Sequence, residues 1–230
     1  MNLFPEEIPI ILLSLKVATC STIFMMPLAV FVGHKLSKSR FIGRLIVEII
    51  LSMPLVLPPV ATGFLLLLLF GSDGFLGKLF LQLFGIKITF SFAGAVLAAC
   101  VVSFPIAVRS VRVSMEGVDS QLEEAAATLG IGKIKRFFGI NLPLAWPGIL
   151  SGAVLTFIRS LGEFGATITL AGTIEGKSKT LSIALWTALQ EPGKELYAYR
   201  LLFFCIIVGV IALLLSEILV RKLRKNRNYL

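Results

Sequence analysis

Two ionisable residues stand inside an otherwise apolar stretch near residue 160. Arg159 and Glu163 are four residues apart within residues 142–171. Side chains at this spacing meet on one face of a helix, which favours an ion pair. A charge inside an apolar run is also costly and marks a functional site, so Arg159 is at the same time a candidate contact for an anionic ligand. The spacing favours the ion pair and leaves the second role open.

Glycine and proline positions predict weak points in two apolar runs. Gly162 and Gly165 flank Glu163, so we expect the helix to loosen there and to act as a gate. Pro54, Pro58 and Pro59 lie together in an earlier run, and each removes a backbone donor. These prolines predict either a broken helix beside a substrate path or a simple kink that suits packing.

Residues for catalytic or metal chemistry are scarce. The chain has one histidine, His34, and its three cysteines lie inside apolar runs, at Cys20, Cys100 and Cys205. Residues 172–178 read GTIEGKS, one residue short of the spacing of a phosphate-binding loop. We therefore predict no catalytic residue, metal site, disulfide or nucleotide site in this chain, and a membrane enzyme is disfavoured.

The composition indicates which elements must position these residues. Of the 230 residues 57% are hydrophobic and only 15% are charged, which excludes a water-soluble globule. A helix needs about 20 apolar residues to cross a bilayer. Residues 1–230 are thus interpreted as one all-α membrane domain with five spans, at about 9–33, 45–70, 88–108, 142–171 and 201–220. Residues 181–189 are too short to cross and leave six spans as the alternative.

The basic residues predict an orientation in the membrane. The net charge is +9, from 22 Lys and Arg against 13 Asp and Glu. Most of the basic residues fall in residues 34–44, residues 109–141 and the tail after residue 220, which five spans place on one side. Basic connections face the cytoplasm, so we expect the N-terminus outside and the C-terminus in the cytoplasm. Contact with lipid accounts for the charge, and no nucleic-acid partner is expected.

The connection 109–141 contains a short amphipathic helix. Ser120 and Glu123 have the spacing of a capping box, and Gly130 is a helix stop, so we predict a helix over 121–129. An apolar stripe runs along it, formed by Leu122, Ala125, Ala126 and Leu129. A helix this short is unstable alone, so its stripe must bind either the chain's own spans or another protein.

The same segment carries a family resemblance. Its fixed positions match the EAA motif of ABC-importer permeases, namely Glu124, Ala125, Ala126, Gly130, Ile140, Leu142 and Pro143. Four further segments resemble the molybdate-transporter permeases: LLSLKV (12–17), MPLVLPPVATGF (53–64), SFPIAVRSVR (103–112) and RSLGEFGATIT (159–169). The resemblance implies a type I ABC-importer permease fold in which the motif forms a cytoplasmic coupling helix, so Leu122 and Leu129 join the motif as candidate coupling residues.

The resemblance also implies a function and partners. The chain is expected to form a path for molybdate as a homodimer, with two cytoplasmic ATPases and an extracytoplasmic oxyanion-binding protein. ATP and Mg²⁺ belong to the ATPases, so no cofactor is expected in this chain. Tungstate, sulfate and thiosulfate are alternative substrates, and a non-transporting membrane scaffold is an alternative of another class. The candidate path or gate residues are Pro54, Pro58, Pro59, Arg159, Gly162, Glu163 and Gly165.

Overall fold

The computed structural model describes residues 7–38 and 43–227, without the side chains of residues 216 and 219–227. Arg40 and the side chains of the basic tail, on which part of the predicted orientation depends, lie outside the described residues. Every regular element within the described part is helical. In chain order these are α1 (Glu7–Lys38), α2 (Arg44–Val56), α3 (Pro59–Phe70), α4 (Phe75–Phe84), α5 (Phe92–Glu116), α6 (Ser120–Thr128), α7 (Lys133–Arg136), a π-helical turn (Phe137–Asn141), α8 (Leu142–Leu161), α9 (Gly165–Ala171), α10 (Leu181–Gln190) and α11 (Glu195–Arg227).

Four helical stretches of the described chain are long and apolar enough to cross a bilayer. They are α1, α5, the continuous stretch Lys133–Leu161 and the stretch Glu195–Leu215 of α11. The helices α2 and α3 together make a fifth span, but they meet at a bend of 110°. The ten residues of α10 are too few to cross. The fold is thus an all-α membrane fold with four spans, or five when the bent pair counts as one.

The helix α5 lies at the centre of the bundle, between α1 and α8. Its buried positions are mostly small, and Ala95, Ala98, Ala99 and Ala107 are fully buried. Small side chains allow neighbouring backbones to approach closely, which is how membrane helices gain packing without a hydrophobic driving force. Ser91 caps the N-terminus of this helix, since its hydroxyl accepts a hydrogen bond from the Gly94 N–H at 3.2 Å.

A ladder of small residues on α8 packs against α5 within the same chain. A Cβ atom on Gly148 would lie 1.9 Å from the Ser114 hydroxyl oxygen, and one on Gly152 would lie 2.6 Å from the Ser110 Cβ. Further along the same face, the hydroxyls of Ser160 and Ser103 are hydrogen-bonded at 3.1 Å in a buried position. A small-residue ladder with four-residue spacing therefore serves packing inside the monomer.

Candidate coupling surface and helix-break site

The N-terminus of α6 differs from the predicted capping box. Asp119, and not Ser120, is the cap: its carboxylate accepts a hydrogen bond from the Gln121 N–H at 2.9 Å, and Ser120 is the first helical residue. Glu123 is therefore not used to cap the helix. Its carboxylate binds the Lys38 ammonium and the Asn141 amide, because a charged partner stabilises a carboxylate better than a peptide N–H.

The C-terminus of α6 confirms the predicted glycine stop. Gly130 has a positive φ of 76°, a conformation that side chains with a Cβ adopt only with strain. The Ile131 N–H donates to the Ala126 carbonyl, and the Gly130 N–H donates to the Ala127 carbonyl, each at 3.0 Å. This pair of bonds is a Schellman motif, which ends the helix and redirects the chain.

Glu123 attaches α6 to the membrane helices. The ion pair with Lys38 joins α6 to the end of α1, and the hydrogen bond from Asn141 joins it to the turn before α8. The Arg136 guanidinium also donates to the Glu123 carbonyl at 3.2 Å. Partial burial raises the pKa of the Glu123 carboxyl, but the hydrogen bonds from Lys38 and Asn141 and the positive charge of Lys38 outweigh it, so that its pKa lies below 4.5.

The apolar stripe of α6 is divided between the interior and the surface. Ala126 is 5% exposed, whereas Leu122 is 48% and Leu129 is 79% exposed. Ala126 is the one residue of the stripe that is buried within the described chain, so packing inside the permease accounts for that position alone. The remaining motif residues lie nearby: Glu124, Ala125 and Pro143 are exposed, and Ile140 and Leu142 are half-buried.

A network of arginines and carboxylates ties α2 to α5. Arg44 binds Glu48 at 2.7 Å and Glu116 at 2.8 Å, and the Arg112 guanidinium also binds Glu48. Sequence reasoning missed this network. The four-residue spacings of Arg44 and Glu48, and of Arg112 and Glu116, were the available signal.

The proline cluster breaks the second predicted span. The helix α2 ends at Val56 and α3 begins at Pro59, with the 110° bend between them. Pro54 lies inside α2 without ending it, so the break belongs to Pro58 and Pro59. A bend this large is a broken span or a re-entrant segment and not the simple kink that was the alternative.

Glu163 lies at a second break and connects the helices on either side of it. The helix α8 ends at Leu161 with Gly162 as its C-cap, and α9 begins at Gly165, so the stretch 142–171 is interrupted where the two glycines predict that the helix loosens. The Glu163 carboxylate binds the Arg159 guanidinium at 2.8 Å, which confirms the ion pair. Its other oxygen accepts a hydrogen bond from the Ala166 N–H at 2.9 Å in the first turn of α9. The Glu163 side chain is 2% exposed and that of Arg159 is 32% exposed.

The two breaks are packed directly on each other. A Cβ atom on Gly165 would lie 2.7 Å from the Pro59 Cβ, and one on Gly63 would lie 2.7 Å from the Ala166 Cα. The start of α3 therefore contacts the start of α9 at backbone distance. The structure thereby brings Pro59, Gly165 and Glu163 into one site, while Pro54 remains on the other side of the bend.

The loop that resembles a phosphate-binding motif has another role. The Ser178 hydroxyl donates to the Ala171 carbonyl at 2.7 Å and accepts from the Ile174 N–H at 3.1 Å. These bonds close the loop that follows α9. A phosphate-binding loop follows a strand, whereas this loop follows a helix. Among the described residues, no cluster of three His, Cys, Asp or Glu could hold a metal ion.

Residues 25–225 match the family described as the binding-protein-dependent transport system inner membrane component. The chain belongs to this family. It is therefore a multi-pass permease subunit of a transport system and not an enzyme. The match covers both helix breaks and the whole connection 109–141.

Among curated relatives, this permease is similar to the molybdenum transport system permease protein ModB of Haemophilus influenzae. The two are 48% identical over 220 residues, which cover 96% of each chain. ModB of Escherichia coli strain K12 is 47% identical over 98% of this chain and 99% of its own length. The sulfate transport system permease protein CysT of Salmonella typhimurium is 35% identical over 81% of this chain and 67% of its own length.

Solved structures agree on the fold. A chain of a bacterial alginate ABC transporter in complex with its alginate-bound periplasmic protein matches this permease with a TM-score of 0.74 at 15% identity, over 96% of this chain and 80% of that one. The inward-facing MetNI methionine ABC transporter matches with a TM-score of 0.67 at 17% identity, over 91% and 92%. The fold is that of a type I ABC-importer permease.

Proposed function

We propose that this permease forms the membrane path of a molybdate importer. The observation that carries the proposal is its 47–48% identity, over nearly the full length, to permeases of molybdenum transport. The alignments cover 96% and 99% of those two relatives, so the similarity is not confined to one segment. The choice of molybdate among the oxyanions is supported by this similarity alone.

The exposed part of α6 supports coupling to a separate ATPase. Leu122 and Leu129 present apolar side chains to solvent on a helix that Glu123 holds against α1 and α8. An apolar surface on a rigidly attached helix is suited to receive a partner and to transmit its movement. We propose that the partner is a cytoplasmic ATPase, which binds ATP and Mg²⁺, and that the motif residues form the contact.

The rest of the assembly belongs to the same proposal. Two copies of the permease form the path, each with one ATPase, and an extracytoplasmic protein delivers the anion. The N-terminus is outside and the C-terminus in the cytoplasm, which places α6 on the ATPase side. Closure of the ATPases moves the α6 helices and shifts the permease between inward- and outward-open states. The packed helix breaks, with Arg159 and Glu163, are the proposed gate.

A related oxyanion is the second candidate substrate. It is favoured by the 35% identity to a sulfate permease over 81% of this chain. Tungstate, sulfate and thiosulfate are tetrahedral anions of similar charge, so a path that passes one of them needs little change to pass another.

Reconstitution tests the function and its alternatives together. The permease is inserted into proteoliposomes with its ATPase and binding protein, and ATP hydrolysis and uptake are measured with molybdate, tungstate, sulfate and thiosulfate. We expect molybdate to stimulate hydrolysis and to be taken up. Stimulation by sulfate or thiosulfate alone would overturn the molybdate assignment. ATP hydrolysis that no anion stimulates would favour a non-transporting scaffold.

A further inference from the structure

A cavity of about 270 Å³ lies between α1, α2 and α5, beside the arginine network. Its polar lining consists of Glu48, Ser52, Arg109 and Arg112. Apolar side chains of α1, α2 and α5 form the rest of the wall. An apolar wall weakens screening by water, so a charge inside this cavity interacts strongly with the guanidinium groups.

The carboxylate in the cavity is already neutralised. Glu48 binds both Arg44 and Arg112, and Glu116 binds Arg44 at 2.8 Å. The network together with Arg109 therefore contains three arginines and two carboxylates. One positive charge remains at the cavity, so its field favours an anion.

Two of the guanidinium groups keep donors for a ligand. The Arg112 Nε–H is buried and has no hydrogen-bond partner among the described residues, and the Glu116 carboxylate, 3.9 Å from it, is too far to accept its hydrogen bond. A buried donor without an acceptor costs free energy unless something binds it. Arg109 is exposed and forms no ion pair with any carboxylate in the described part of the chain. Both arginines line the same cavity, beside the Ser52 hydroxyl.

We infer that this cavity binds a tetrahedral oxyanion. Guanidinium forks and a hydroxyl match the oxygens of such an anion, and Arg109 provides the charge that is not already neutralised. Two sources have this chemistry: the transported anion, in which case the inference rests on the proposed function, and the phosphate headgroup of an anionic lipid. The site is separate from the Arg159–Glu163 pair and from α6.

Binding to the complex of permease and ATPase tests the site directly. The complex is placed in nanodiscs of zwitterionic lipid without binding protein, and equilibrium binding of radiolabelled molybdate is measured. We expect R109Q to weaken binding by about ten-fold or more, which corresponds to about 1.4 kcal/mol. R109K retains the charge but loses the guanidinium fork, so it should bind more tightly than R109Q and less tightly than the wild type. The control K87Q removes one exposed cation elsewhere and should bind as the wild type does.

A second arm distinguishes the two sources. Phosphatidylglycerol is added to the nanodiscs, and its retention by wild type and R109Q is measured by native mass spectrometry. Loss of molybdate binding in R109Q supports the transported anion, and loss of lipid retention alone supports the headgroup. If R109Q keeps both, the inference is overturned. Uptake by the wild type is measured separately, so that failure of the proposed function gives a different result, namely no uptake of any oxyanion.

Discussion

Gly165 and Pro59 lie in such close contact that a Cβ atom on the glycine would be 2.7 Å from the proline Cβ. The contact joins two helix breaks that are more than one hundred residues apart in the chain. Each break frees the backbone groups that a continuous helix would satisfy, and packing the two together is a way to shield them from lipid. The close approach requires a residue without a side chain at position 165.

A larger side chain at Gly165 is expected to separate the breaks. Gly165→Val should lower the thermal unfolding temperature of the purified permease and reduce uptake at least ten-fold, because the Pro59 backbone cannot yield as a side chain can. Gly209→Ala is the control, since a Cβ atom there meets nothing within 4 Å. Normal uptake by Gly165→Val would show that the contact is not needed for transport.

The turn after α6 is expected to be sensitive to the loss of its glycine. Gly130 has φ of 76° and open space around it, so Gly130→Ala introduces backbone strain of about 1–2 kcal/mol without any clash. Gly130→Asp adds a charge to the same strain. We expect normal membrane levels of both variants, with reduced uptake and reduced stimulation of ATP hydrolysis, the aspartate being the more severe.

Gly132→Ala is the matched control for this turn. It also lies in open space but without a positive φ, so it should behave as the wild type. If Gly130→Asp, inserted normally, still supports full uptake and stimulation, the assignment of α6 as the coupling helix is wrong.

Leu129 is expected to contribute to partner binding rather than to folding. Its side chain is 79% exposed, so Leu129→Asp should leave the unfolding temperature of the permease unchanged. The same variant should weaken binding of the ATPase by about ten-fold or more, because it places a charge in an apolar contact. Binding is measured by co-purification and titration. Ile134→Asp, also exposed but outside the motif, is the control, and equal loss in both variants would refute a specific role of Leu129.

A double-mutant cycle separates the two roles of Arg159. Arg159→Gln leaves the buried Glu163 carboxylate without its cation, which costs about 3 kcal/mol. Glu163→Gln keeps an oxygen that can accept from Ala166 and should be less destabilising. We expect the double variant to regain part of the stability lost in Arg159→Gln, as measured by thermal unfolding. If the double variant regains uptake together with stability, Arg159 acts through the ion pair. If its uptake stays low although its stability returns, Arg159 contacts the substrate.

The Glu123 ion pair predicts a dependence on pH. The folded pKa of Glu123 lies below its ordinary value of 4.5, so the pair contributes stability above about pH 4.5, and this stability is lost as the pH falls through the lowered pKa. Both partners are partly exposed, so the contribution is about 1 kcal/mol or less. The difference in unfolding temperature between wild type and Glu123→Gln should be constant near neutral pH and shrink in acid. A difference in unfolding temperature that stays the same from neutral pH down to about pH 3 would contradict this role of the ion pair.

Much of the local structure could be predicted from the residues. The glycine stop at Gly130 and the Arg159–Glu163 pair depend on contacts within five residues, where helix geometry alone decides which groups meet. The cap of α6 shows the limit even at short range. Ser120 and Glu123 had the spacing of a capping box, but Lys38, 85 residues away from Glu123, offered its carboxylate a stronger partner.

By itself the sequence determined the membrane class, the apolar runs, the EAA spacing and the positions of the breaks, because each depends on residue type over one or two helical turns. Only the tertiary structure decided that the second span bends by 110°, that Gly165 meets Pro59 and that Arg109 and Arg112 share a cavity. These features depend on which helix faces pack together. That choice follows from the shapes of many small side chains at once, and no local period in the sequence records it.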